Sequence, residues 1–123
     1  MHYTAGLILS VVFQCAHVME PNDFNSPNES RVVDKNWFVH QLNTTCNFAM
    51  YSKLLSWFIG GLNFQIEHHL FPNICHIHYK KISKIVQSTA QEFNVPYKSY
   101  KNMFSAVRSH YKFLKHLGSY NMA

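Results

Sequence analysis

The chain has 123 residues, enough for one domain, with nine histidines and three cysteines whose scatter (Cys15, Cys46, Cys75) offers no disulfide framework and agrees with a reducing compartment. Charge is uneven: up to Phe71 three basic residues (Arg31, Lys35, Lys53) face five acidic ones, whereas from Pro72 onward eight basic residues face Glu92 alone. A basic tail suits nucleic acid, an anionic leaflet or an acidic redox partner, but no zinc-finger spacing, RNA-binding signature or Gly-rich phosphate loop accompanies it, which argues against nucleic acid.

Tyr3 to Met19 is an uncharged run of seventeen residues. At ~1.5 Å per residue a helix there spans about 25 Å, the lower limit for a bilayer's hydrocarbon core. The run reads as the inner part of a transmembrane helix; no basic leader or small-residue cleavage site precedes Glu20, as a signal peptide would require. Lysines beside such a span fit a cytoplasmic face. An ionisable His17 near the end of the run needs a partner, and Gln14 sits one turn earlier on the same face. Pro21 to Asn28 forms a polar loop.

Asp34 to Asn47 predicts a helix capped by Asp34, with Trp37, Phe38, Leu42 and Thr45 as one packing stripe, and Asn47 to Tyr51 predicts a turn. Lys53 to Leu62 is too short to span a bilayer; Trp57, Phe58 and Ile59 suit either a helix lying at the interface or a soluble core helix. Gly60-Gly61 permits a bend or a close approach of two backbones. A further helix is expected over His76–Phe93, with Ile82, Ile85, Val86, Thr89 and Phe93 on its apolar face and Lys80, Lys81 and Lys84 in water. Cys75-His76-Ile77-His78 matches no standard zinc spacing. Asn94-Val95-Pro96 stops that helix. Ser99 can cap a last one, which Met103, Phe104, Val107, Tyr111, Leu114 and Leu117 make amphipathic and Gly118 ends. No strand-period stretch of useful length and no internal repeat occurs. The fold class is all-α.

The chemistry centres on Gln65-Ile66-Glu67-His68-His69-Leu70-Phe71-Pro72. In a helix Gln65 shares a face with both histidines, one turn along, and the two imidazoles point about 100° apart. Imidazole is the usual nitrogen ligand for iron, zinc and copper, and a nearby amide binds weakly or holds a water.

The run from Gly60 to Pro72 resembles the third histidine box of membrane fatty acid desaturases, of the front-end type in which glutamine replaces the first histidine. The resemblance continues through His76-Ile77-His78-Tyr79 to Tyr97, and backwards through His40-Gln41-Leu42-Asn43-Thr44-Thr45 and Phe13-Gln14-Cys15-Ala16-His17-Val18. The family's first two boxes, HxxxH and HxxHH, have no counterpart here. In the family they lie upstream, so the chain resembles a C-terminal portion, and whether Met1 is the true start stays open. It then divides into a partial transmembrane helix over 3–19 and a cytosolic or interfacial helical cap over 20–123 that carries the box.

The resemblance implies an integral membrane enzyme with the histidine box on the cytoplasmic side, two non-haem irons, and O2 as co-substrate. His17, His68 and His69 become iron ligands, and Gln65 a ligand directly or through water. Gln14, Gln41, Thr45, Asn47, Asn63, Glu67, His76 and His78 stand beside them or line the substrate path; Glu67 or Asn63 is expected to fix an imidazole tautomer, and His76 and His78 to shape the acyl entrance or bind the last turn of the box. The implied partners are the missing N-terminal part, a membrane lipid or acyl-CoA substrate, and an electron donor of cytochrome or ferredoxin type. At most four ligand positions are present, about half of what two irons need, so the chain alone is expected to be inactive. A sphingoid-base desaturase, a related di-iron lipid hydroxylase and a non-catalytic metal-binding remnant stay open at this point.

Overall fold

The uncharged run near the start winds into a helix, α1 (His2–His17), of 16 residues. At ~1.5 Å per residue that is about 24 Å, and among the described residues no helix is long and apolar enough to cross a membrane. Its Val12, Cys15 and Ala16 are buried, one turn apart on one face, while Tyr3, Leu7, Leu9 and Phe13 remain exposed. The computed structural model describes residues 2–18 and 36–120, so the polar loop expected over 21–28 and the Asp34 cap lie outside the described residues.

The helix after the gap is α2 (Trp37–Thr44), and the residue that caps it is Asn36, whose side-chain oxygen accepts from the Phe38 amide at 3.0 Å. The expected packing stripe does not form: Trp37 and Phe38 are exposed and stand edge to face with ring centroids 4.9 Å apart, while Leu42 alone of the stripe enters the apolar core. Chain direction then reverses through β1 (Asn47–Phe48), α3 (Lys53–Phe58) and α4 (Gln65–Leu70). A 3-10 turn (His76–His78) leads into α5 (Tyr79–Glu92), followed by β2 (Ser99–Tyr100) and α6 (Met103–Tyr120). The protein is mostly helical, as its all-α class requires. Among the described residues the one addition is a parallel pairing of Asn47 with Ser99 and Phe48 with Tyr100, too short to leave a readable period and located where a turn was expected.

Helix ends follow local chemistry. Asn94 adopts φ +53 just past α5, and Val95 and Asn94 donate to the Ala90 and Gln91 carbonyls, closing the helix in a Schellman turn. Ser99 is spent in β2, so α6 is capped instead by Asn102, which accepts from the Ser105 amide at 2.8 Å, and the helix continues past Gly118.

Two apolar clusters hold the elements. One joins Val12, Cys15 and Ala16 of α1 to Cys46, Phe48, Ala49, Ile59 and Ala106. The other joins Leu42, Ile66 and Val86, with Leu70, Phe71, Ile82, Val95 and Tyr97 packed on it. Of the apolar face expected on α5, Val86 is buried and Ile85 and Phe93 are exposed, with Lys80, Lys81 and Lys84 in water.

Between α3 and α4 the backbone turns through two glycines at φ +61 and φ +75. A Cβ on Gly61 would lie 2.7 Å from the Cβ of His76, while one on Gly60 would meet open space. Gly60→Ala should therefore lose about 1–2 kcal/mol, the strain of a side chain on left-handed backbone, and Gly61→Ala about 2–4 kcal/mol, because overpacking adds to it. Thermal unfolding of the two variants side by side checks this; equal losses would mean that the His76 contact carries no weight.

Candidate functional site

The histidine box forms α4, six residues long and too short to stand alone. Its position is fixed from outside. The Asn47 side-chain oxygen on β1 accepts from the Ile66 amide at 2.9 Å, satisfying a donor in the first turn that no helical carbonyl could reach. Ile66 is fully buried in the second apolar cluster, and Phe71 closes the helix by donating to the Glu67 carbonyl at 2.9 Å.

With the helix so fixed, Gln65, Ile66 and Glu67 are buried and His68 and His69 half-buried. The two imidazoles stand nearly perpendicular, at 85°, with centroids 5.8 Å apart. The last residue of α1 joins them: the His17 ring lies 5.0 Å from the His69 ring, edge to face. His17 is held by the Thr44 backbone rather than by Gln14, which is exposed. His68 Nδ1 lies 3.3 Å from the Tyr79 hydroxyl. The amide nitrogen of Gln65 is buried and has no hydrogen-bond partner. Such a group costs about 1–3 kcal/mol, and His40, Thr45 and Asn63 each also have one buried polar atom unpaired.

Glu67 serves as a strut for α4. Asn47 Nδ2 donates to one of its carboxylate oxygens at 2.8 Å, and the Tyr97 hydroxyl donates to the other at 2.8 Å. Asn47 Nδ2 also donates to Tyr97 Oη at 2.7 Å, closing a three-membered network. Asn47 lies between Cys46 and Phe48 of the first cluster, and Glu67 follows Ile66 of the second, so the network ties the two cores together. Burial pushes the Glu67 carboxyl above its ordinary value, against the pull of the Asn47 and Tyr97 hydrogen bonds; burial and the facing carboxylate push the Tyr97 phenol up as well. Both carboxylate oxygens are thus occupied away from the imidazoles.

The other anticipated residues divide. Asn63 is buried but braces the turn before the box, donating to Ser56 Oγ at 2.9 Å and to the Ala49 carbonyl at 3.3 Å. Thr45 is buried with its hydroxyl unpartnered; Gln41 is half-buried on α2. His76 and His78 are exposed on the 3-10 turn, His76 over the Gly61 backbone and on the rim of a hollow of about 300 Å³ shared with Trp57 and Lys80. Tyr79 and Tyr97 were not singled out as site residues in the sequence, since nothing local to either marks a partner elsewhere in the chain. Cys46 is fully buried, and burial pushes its thiol up to about 12 despite Lys98 nearby, which leaves it protonated and unreactive.

His69 is held below the ordinary histidine value of 6.5 by burial first, then by the neighbouring His17 and His68. A base kept neutral by the fold binds fewer protons there than in the unfolded chain. The stability it contributes is complete above that ordinary value and is lost as pH falls through the depressed one. His69 therefore contributes a fall in the thermal midpoint of the metal-free chain on acidification, opposite in sign to the contribution of the raised Glu67 carboxyl, and His69→Asn should remove that fall from the profile. A His69→Asn profile parallel to the parent's would refute it.

Beside the box runs an apolar groove of about 770 Å³ between α2, α4 and α5. Leu42, Leu70, Phe71, Ile82, Val86 and Phe93 contribute to its walls, and it begins where the box ends, at Leu70. Its size falls within the usual range for a small-molecule site, about 300–1,000 Å³.

In kind, the imidazoles suit iron, one of them held neutral by its surroundings; the unpaired group of Gln65 is its N–H donor, which offers no lone pair to a metal, so any ligation there would use the amide oxygen. In number the ligands fall short: among the described residues no group of three or more His, Cys, Asp or Glu is gathered that could hold a metal ion.

Comparison with known proteins follows the same residues. The sequence profile described as fatty acid desaturase matches residues 1–101. The chain is 43% identical over 118 residues to the sn-1 linoleoyl-lipid 6-desaturase of Synechocystis sp., covering 95% of this chain and 33% of that protein. It is 43% identical to the acyl-lipid (8-3)-desaturase of Physcomitrium patens, covering 92% and 23%, and 37% identical to that of Mortierella alpina, covering 89% and 25%. The chain thus spans a third or less of the length of these relatives. No solved structure matches it.

Proposed function

The chain belongs to the fatty acid desaturase family, and on that footing we propose that it is the C-terminal part of a front-end acyl-lipid desaturase, which places a new double bond between an existing one and the carboxyl end of a lipid-linked acyl chain. The observation that carries the reading is the meeting of His17, from α1, with His69 and His68 of the box, beside the unpaired amide of Gln65. Relatives named for acyl-lipid desaturation support the substrate class.

His17, His68, His69 and Gln65 would hold iron, Gln65 directly or through water, and the part of the relatives that this chain does not span would supply the remaining ligands. Bound iron brings the O2 chemistry that removal of hydrogen from an unactivated methylene demands. The chain's own residues do the rest. Neutral imidazoles present lone pairs and add no charge. Tyr79 steadies the His68 ring, and the Asn47–Glu67–Tyr97 network fixes the helix that carries both histidines. The groove beside Leu70 and Phe71 takes the acyl chain and excludes water from it. Membrane association follows from the substrate, with α1 contributing to a span and the box on the cytoplasmic side; an electron-donor protein of cytochrome or ferredoxin type completes turnover.

The test is lipid analysis of cells that express the full-length protein, fed polyunsaturated precursors. A new alkene on the carboxyl side of an existing one supports the reading. A hydroxylated product, or desaturation confined to sphingoid bases, would replace it.

A further inference from the structure

Helix α6 has three sides, set by the triplets 106–108, 110–112 and 113–115. Ala106, His110 and Phe113 face the protein, with Ala106 fully buried against α1 and the His110 ring 2.7 Å from the Val18 carbonyl. The residue after each is apolar and exposed: Val107, Tyr111 and Leu114. The residue after that is basic and exposed: Arg108, Lys112 and Lys115. One position along a helix is about 100° of rotation, so an uncovered apolar stripe runs beside a cationic stripe for the whole contact length. Phe104, 78% exposed, extends the apolar stripe by a turn, and no acidic residue lies on the helix.

From this register we infer that α6 docks on an anionic lipid surface, with the Phe104–Leu114 stripe entering the acyl boundary and Arg108, Lys112 and Lys115 at the level of the phosphates. Charge complementarity decides the occupant. An anionic leaflet satisfies both stripes at once, the apolar one at the acyl boundary and the cationic one at the phosphates. The inference deepens the membrane location proposed above, on which it rests. It adds a lipid preference: docking should strengthen about fivefold per basic residue at low salt and weaken as salt rises.

The experiment is spin-label depth measurement on the full chain, in a Cys75→Ser background, with Tyr111→Cys, Leu114→Cys and Lys112→Cys labelled in turn. Vesicles are phosphatidylcholine alone or phosphatidylcholine mixed with phosphatidylserine. Labels at 111 and 114 should become accessible to oxygen and protected from a water-soluble nickel chelate in the mixed vesicles, while the label at 112 stays open to the chelate. Arg108→Gln, Lys112→Gln and Lys115→Gln combined should abolish the difference between the two lipids at 111 and 114. Chelate-accessible labels at 111 and 114 in both lipids would overturn the inference, and so would labels shielded from both reagents, which would mean a protein cover. Equal depth in the two lipids would overturn the anionic preference. Desaturation by the full-length protein is scored separately: product without docking removes this inference alone, and docking without product removes only the enzyme reading.

Discussion

His69→Ala in the full-length protein should remove the desaturated product, a fall of at least about 10²-fold, while the protein remains folded. His69 is half-buried and its ring contacts are to two other imidazoles, so its loss opens no large void in either apolar cluster. Loss of product alone would not separate a ligand from a prop. Gln65 supplies the control. Its amide nitrogen is buried and unpaired, a liability of about 1–3 kcal/mol that an apolar side chain of similar length would not carry. Gln65→Met should therefore raise the thermal midpoint of the metal-free protein and, with the amide oxygen gone, lower the iron content of the protein supplied with iron. A prop behaves in the opposite way: removing it lowers stability first. If Gln65→Met destabilises the metal-free protein and leaves the iron content of the iron-supplied protein unchanged, the amide is structural and the metal assignment at that position falls.

The difference between what the sequence reveals and what it hides is one of range. Gln65, His68 and His69 are three and four positions apart, so their common face follows from helical geometry alone. The partner of His17 does not: the local choice was Gln14, one turn away, and the fold exposes Gln14 and brings in His69 instead. The resemblance implies that Glu67 acts on an imidazole, whereas its hydrogen-bond partners come from 20 and 30 residues away. On α6 the apolar period names a set of residues but not the side that packs. Small residues, Ala106 and Ser109, take the buried side because they let α6 approach α1 closely, and periodicity records apolarity, not proximity. The glycine pair is an intermediate case. A bend could be read from composition, whereas the requirement at Gly61 depends on His76, which arrives from beyond the box.

Asn47→Leu should destabilise the protein by roughly 3–9 kcal/mol. Three buried groups lose their partner together: the Ile66 amide at the start of α4, one oxygen of Glu67, and the Tyr97 hydroxyl oxygen. Each orphaned group costs about 1–3 kcal/mol. Leucine is close to asparagine in size, so the loss cannot be charged to a void. Tyr97→Phe leaves the Ile66 amide and one Glu67 oxygen satisfied and should lose only about 1–3 kcal/mol. The order of the two variants in denaturant midpoint is the check, and a Tyr97→Phe loss equal to that of Asn47→Leu would mean that the amide bond to Ile66 contributes nothing. Glu67→Gln tests the charge separately. Its carboxyl is raised by burial, so the stability it contributes is greatest at low pH and is lost as pH rises through the raised value. The glutamine variant should lose that dependence, yet it brings two amide hydrogens to a place where Asn47 and Tyr97 both donate. A helix of six residues that carries three candidate ligands, Gln65, His68 and His69, has no independent stability to draw on. What keeps His68 and His69 in place is therefore the same three-residue network that these variants dismantle.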